Sequence, residues 1–163
     1  MKKILFLDFD GVLHPDGIAL FSRLGLLEEY LLKMPEIEIV ISSTWRETQD
    51  LDELKNYFSP SLRDKITGVT PSLEDGYDCG GRQREIHAFL DSAGLNAGNA
   101  TWVALDDMAL FFEDGYPHLI LADSSTGFDE NNGDSLLAWY NSSLKRDGQD
   151  CGKARAGSRL APG

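Results

Sequence analysis

The feature that most constrains the fold is Ile4-Leu5-Phe6-Leu7, an unbroken apolar run that ends in Asp8-Phe9-Asp10-Gly11. A run without polar alternation reads as a strand buried on both faces, the condition of a strand inside a parallel sheet. Open α/β sheets place their ligands beyond the carboxyl ends of the strands. Two carboxylates two residues apart at that edge repel each other. A hard cation, Mg²⁺ first among them, is the simplest group to hold them there.

Other segments share this pattern. Glu38 to Ile41 runs into Ser42-Ser43-Thr44, Thr101 to Leu105 into Asp106-Asp107, and His118 to Ala122 into Asp123-Ser124-Ser125. A weaker fifth strand is expected over Lys65 to Val69. Helices are expected over Ile18 to Leu32, Asp50 to Phe58 (ended by Ser59-Pro60), Arg84 to Ala93 (stopped by Gly94) and Ser135 to Leu144, with a single turn over Met108 to Phe112. Strands alternating with helices predict an α/β domain: a parallel five-stranded sheet, first strand central, with helices on both faces. Residues 1–144 form that domain in this reading. From Lys145 the apolar periodicity fades, and 145–163 reads as a flexible tail.

Composition narrows the class. The 163 residues carry a formal charge of −12, with 42% hydrophobic and 26% charged residues, as in an ordinary globular domain. A field of that sign repels polyanions, so nucleic acid is expected to bind only through a local site. No apolar run reaches membrane-spanning length, and the first strand begins too early to leave room for a signal peptide. Cys79 and Cys151 fit two free thiols. A cytoplasmic location without membrane association is expected.

In a parallel sheet the polar strand ends meet at one edge. Asp8, Asp10, Ser42, Ser43, Asp106 and Asp107 therefore converge there, and phosphoryl transfer needs such a set. A metal is held by one or two carboxylates plus water. A carboxylate attacks phosphorus, and a second acid protonates the leaving oxygen and then activates water. Hydroxyls, a cation and loop amides hold the phosphoryl oxygens, and Gly11 lets the backbone approach them.

These motifs resemble those of haloacid dehalogenase (HAD) superfamily phosphatases. Asp8-Phe9-Asp10-Gly11-Val12-Leu13 is similar to the family signature DxDGxL. The resemblance implies a Rossmann-like three-layer fold, Mg²⁺ as cofactor, Asp8 as nucleophile and Asp10 as general acid and base. It also implies that Asp10 binds metal through its carbonyl. Ser42 matches the phosphate-binding second motif, and Asp106-Asp107 the acidic fourth motif, with Asp106 the better metal ligand and Asp107 supporting it. The third motif is a phosphate-binding cation near a helix start. Arg82 and Arg84 both qualify, and the Gly80-Gly81 turn favours Arg82. Arg82-x-x-Glu85-Ile86, Leu13-His14-Pro15 and Ser42-Ser43-Thr44-Trp45-Arg46 resemble a bacterial subgroup found within RNA repair proteins.

The stretches between Asp10 and Ser42 and between Ser42 and Arg82 each house a crossover helix and leave no room for a sizeable cap. The resemblance then implies an open site of the kind associated with macromolecular phosphates such as nucleic-acid ends. Small phosphate esters stay in play. His14, Arg46 and Trp45 are candidate substrate contacts, with Arg46 equally suited to pairing with Glu47 or Asp50 on the surface. The expected activity is Mg²⁺-dependent phosphomonoester hydrolysis through an aspartyl-phosphate. The alternatives are a phosphotransferase, a receiver-type signalling domain and a non-catalytic binding module on the same scaffold.

Overall fold

The computed structural model describes residues 1–16 and 18–154, with side chains through Gly148. Five strands form the sheet: β1 (Lys2–Leu7), β2 (Ile37–Ile41), β3 (Ile66–Val69), β4 (Ala100–Asp106) and β5 (Leu119–Leu121). Their order is β3-β2-β1-β4-β5 and every pairing is parallel, so β1 is central as its apolar run requires.

Alternation along the strands builds two cores. Leu5 and Leu7, with Ile39, Ile41, Val103 and Leu105, face one side. There they pack on α1 (Leu24–Leu31), α2 (Leu51–Lys55), α3 (Pro60–Arg63) and α5 (Glu130–Ala154) through Leu27, Leu54, Leu62 and Leu136. Ile4, Phe6, Val40 and Ala104 face the other side and meet Ile86 and Leu90 of α4 (Gly81–Ser92). Each β1 side chain from Ile4 to Leu7 is at most 1% exposed, and burying one such chain contributes about 1.5–3 kcal/mol. The result is the Rossmann-like three-layer α/β sandwich. No helix among the described residues is long and apolar enough to cross a membrane.

Four expectations about helices need correction. The helix expected from Ile18 begins at Leu24. Ala19 and Phe21 adopt left-handed backbone, with φ of 52° and 57°, which breaks a right-handed helix. Pro60 does not simply end a helix: it opens α3, where a first-turn proline loses no helical hydrogen bond. α4 starts at Gly81, ahead of the expected Arg84.

Finally, α5 continues past Leu144 to Ala154, so 145–154 is helical rather than tail. Asp147 explains the extension. Its carboxylate accepts from Lys3 Nζ at 2.7 Å and lies 3.6 Å from the Met1 ammonium. Lys3 is itself 2% exposed and also meets Glu36 at 2.9 Å, so its buried charge requires these partners. The remainder of the expected tail, 155–163, lies outside the described residues.

Candidate active site

The strand ends are brought to one level by pairing that runs one residue beyond the ladders. Asp8 N–H donates to Leu105 O at 3.1 Å, Ser42 N–H to Leu7 O at 2.9 Å and Thr70 N–H to Ile41 O at 3.0 Å. Past Asp8 the chain turns tightly, with Val12 and Leu13 both donating to Phe9 O. Gly11 sits in this turn at φ +74°, and a Cβ there would strike the Asp107 carboxylate. Glycine is thus required twice over, by conformation and by the approach of Asp107. Its own N–H donates to His14 O at 3.0 Å. The expectation that Gly11 binds phosphate is corrected accordingly: it shapes the loop, and its amide is already engaged.

Asp8, Asp106 and Asp107 each offer a carboxylate oxygen within 4.8 Å of the others. Asp8 and Asp106 are buried and Asp107 is half-buried. Arg82 neutralises part of this charge. Its Nη1 lies 2.6 Å from Asp106 Oδ2 and 3.3 Å from Asp8 Oδ1, and the guanidinium stacks over Phe111. Burial works against the charge on Arg82, yet Asp106, Asp8 and Glu85 outweigh it and raise its pKa.

One guanidinium does not balance three acids. Burial, with Asp8 beside it, pushes Asp106 up to about 8 against the pull of Arg82. Burial and Asp8 push Asp107 up to about 7, and a hydrogen bond between the Asp107 and Asp8 carboxyls acts in the same direction. Burial raises Asp8 as well, although Arg82 opposes it. Two like charges 4 Å apart cost roughly 4 kcal/mol at an effective dielectric constant of about 20. Bound protons or a divalent cation would each relieve that repulsion, and all-oxygen donors suit a hard ion.

The weights within the fourth motif differ from the expectation. Both Asp106 oxygens have partners, since Oδ2 accepts from Arg82 and Oδ1 accepts from Met108 N–H at 2.9 Å. Asp107 has the freer oxygens. Asp10 is not among the clustered acids. Its side chain is 60% exposed and accepts from His14 Nε2 at 2.9 Å and from Trp45 Nε1 at 3.1 and 3.2 Å. The Asp10 carboxylate is thus engaged by His14 and Trp45, apart from the three clustered acids.

Of the two cations considered for the third motif, the structure brings Arg82 to the acids. Arg84 points away, donating to Cys79 O and Asp75 O and pairing with Asp75 at 2.8 Å. Ser42 is 1% exposed, at the edge beside Asp8. Ser43 Oγ accepts from Trp45 N–H at 3.3 Å, which caps the short 3₁₀ turn Thr44–Glu47. Its hydroxyl thus has a structural duty beside the phosphate-binding one expected of it.

Arg46 is neither a substrate clamp nor a surface partner of Glu47 or Asp50. Its guanidinium donates to the carbonyls of Thr70, Ser42, Ser43 and Pro71, and to Glu85 Oε2 at 2.7 Å. Only 3% of that side chain is exposed. It ties the loop after β2 to α4 from inside.

Glu85 was absent from the expected site residues, and it is the hub of this network. Besides Arg46 it accepts from Leu73 N–H at 3.0 Å and lies 4.0 Å from Arg82 Nε. Its available signal was an acid three residues after Arg82 on one helix face. Phe21 and Tyr57 were missed as well. Their rings stack at 4.4 Å, and both pack edge-on to Trp45. The left-handed backbone at Phe21, a conformation costing roughly 1–2 kcal/mol, turns its ring and N–H toward His14 and Trp45.

A buried acid directly after the central strand, an acidic pair at the end of β4 and a buried guanidinium from α4, the helix that leads into β4, define a HAD-type hydrolase domain without a sizeable cap. The family described as the HAD domain in Swiss Army Knife RNA repair proteins matches residues 4–132, and the chain belongs to it. Comparison with curated proteins found no significant match, and comparison with solved structures found none either.

Proposed function

We propose that this chain is a Mg²⁺-dependent phosphomonoester hydrolase acting through an aspartyl-phosphate on Asp8. The observation that carries this reading is Arg82 set between Asp8 and Asp106, a buried cation beside a buried nucleophile. Asp8, Asp107 and the remaining valence of Asp106 would hold Mg²⁺, which when bound offsets the charge of the phosphoryl oxygens.

An Asp8 oxygen attacks phosphorus in line, forming the acyl–phosphate bond as the ester P–O bond breaks. Asp10 donates its proton to the leaving oxygen. The Asp10 carboxylate then accepts a proton from water as that water attacks phosphorus. The Asp8–phosphorus bond breaks and inorganic phosphate leaves. Arg82 and the Ser42 hydroxyl hold the phosphoryl oxygens.

The lack of a cap admits the end of a large molecule, and the matched family is described by RNA repair proteins. Both support a nucleic-acid terminal phosphate as substrate class. Arg46 is sealed inside, leaving Arg82 among the described residues as the guanidinium for one phosphoryl group, and the charge of −12 gives a polyanion no long-range attraction. Recognition then centres on the terminal phosphate, in the reducing interior of the cell.

The test compares 3′- and 5′-phosphorylated oligonucleotides, mononucleotides and an aryl phosphate, with and without Mg²⁺, for wild type and Asp8→Asn. Metal-dependent phosphate release that Asp8→Asn abolishes is the expected result. Undiminished release by Asp8→Asn would overturn the phospho-aspartate. Transfer of phosphate to an acceptor other than water would favour a phosphotransferase.

A further inference from the structure

The exposed acid Asp10 raises a physical problem. A general acid must be held within hydrogen-bond reach of the leaving oxygen, yet a side chain 60% exposed on a loop has no packing to fix its rotamer. We propose that His14 and Trp45 are the positioning residues for Asp10, gripping its carboxyl so that Oδ2 is the oxygen that delivers the proton. This inference rests on the assignment of Asp10 as general acid and base in the hydrolase reading above.

The geometry supports it atom by atom. Oδ1 accepts from two donors, His14 Nε2 at 2.9 Å and Trp45 Nε1 at 3.2 Å. Among the described residues, Oδ2 meets only the other branch of the Trp45 contact, at 3.1 Å. The oxygen with spare capacity to carry a proton is therefore Oδ2. The His14 tautomer follows from its other nitrogen. Phe21 N–H points at Nδ1 from 3.4 Å, so Nδ1 accepts and Nε2 carries the hydrogen toward Asp10.

Both donors are themselves held by packing. His14 is fully buried, and its backbone carbonyl accepts from Gly11. Trp45 packs edge-on against Phe9 at 5.6 Å, Phe21 at 5.4 Å and Tyr57 at 5.5 Å. The left-handed residue Phe21 touches both donors, by its N–H and by its ring.

In the first half-reaction the ester P–O bond breaks and the Asp10 proton goes to the leaving oxygen. The carboxylate left behind is stabilised by the same two N–H groups. In the second half-reaction Oδ2 takes a proton from the attacking water, and Asp10 returns to its starting form. The grip matters in proportion to how much the leaving oxygen needs its proton. Alkyl esters, whose alcohols are weak acids, depend on it; a nitrophenyl ester depends on it little.

The experiment compares hydrolysis of glycerol phosphate and 4-nitrophenyl phosphate by wild type, Trp45→Phe, His14→Phe and His14→Gln. Trp45→Phe keeps the ring and deletes the N–H; His14→Gln restores a donor that His14→Phe lacks. Each donor-deleting variant is expected to lose about tenfold more kcat/KM on the alkyl ester than on the aryl ester. His14→Gln is expected to recover part of that difference. Equal losses on the two esters would overturn the positioning role.

A second readout needs no turnover. The Trp45 indole N–H resonance, assigned by its loss in Trp45→Phe, is expected to move in Asp10→Ala. An unmoved resonance would overturn the contact itself. Asp8→Asn separates the two claims: turnover surviving in Asp8→Asn overturns the phospho-aspartate reading, whatever the ester ratio shows.

Discussion

Arg46 Nη2 donates to Glu85 Oε2 over 2.7 Å, and neither side chain is more than 4% exposed. Breaking such a buried pair leaves one charge uncompensated, at a cost of about 3–5 kcal/mol. Glu85→Ala is expected to lower stability by that amount in denaturant unfolding. It also removes the acceptor for Leu73 N–H, so the loop before α4 should gain amide hydrogen exchange. Arg46→Ala, which strands Glu85, should be destabilising to a similar degree.

Arg82 and Arg84 are two residues apart and should behave oppositely. Arg82→Gln removes the cation beside Asp8 and Asp106, and kcat/KM is expected to fall by about 100-fold or more. Arg84→Gln removes surface contacts alone, to Asp75 and to the Cys79 carbonyl, and kcat/KM should stay within about twofold of wild type. Steady-state kinetics on one phosphomonoester checks both.

Without a divalent ion, stability should fall as pH rises from about 4 to 8. Asp106 and Asp107 titrate near 8 and 7 in the folded chain, against an ordinary 3.8. In that window the folded protein holds protons that the unfolded chain has released, and each such proton contributes a slope of about 1.4 kcal/mol per pH unit. The contribution of these two acids is greatest below the ordinary carboxyl range and is gone above pH 8. Mg²⁺ needs the ionised carboxylates, so its stabilising effect should grow over the same range. Thermal melts from pH 5 to 8, with chelator and with Mg²⁺, measure both trends.

Asp8→Asn should raise the stability of the metal-free protein while abolishing hydrolysis. It deletes one of the repelling acids, and it leaves Arg82 its shorter contact to Asp106. A melting midpoint below that of wild type in chelator would contradict the electrostatic account of the cluster.

Asp147 ties the far end of α5 to Lys3 at the start of β1. Asp147→Ala should lower the melting temperature and increase exchange in the last turns of α5. The hydrogen bond from Lys3 holds the Asp147 carboxyl below its ordinary pKa. This contribution is therefore present above the ordinary carboxyl range and is lost as pH falls through the lowered value. A melting temperature unchanged at pH 7 would show that Glu36 alone suffices for Lys3.

The sheet was legible because the signal for a central parallel strand is local. Ile4 to Leu7 needs no knowledge of its neighbours to read as buried on both faces. The polar residues that follow each apolar run are equally local, so Asp8, Ser42 and Asp106 could be assigned to one edge before the strands were paired. Helix α1 misled because Ile18 stands at helical spacing from Phe21 yet is 72% exposed. Spacing does not report backbone handedness, and Ala19 and Phe21 are left-handed.

Hydrophobic period and strand polarity are enough to specify the parallel α/β architecture, the central strand and the set of acids at its end. What each charged group faces was settled by folding. Arg46 turned inward to Glu85, Arg82 outranked Arg84, Asp107 kept the freer oxygens, and Asp10 came under the hold of His14 and Trp45. A long side chain reaches partners from distant segments, and its energy depends on burial and on the nearest opposite charge. Neither quantity exists until the chain has folded.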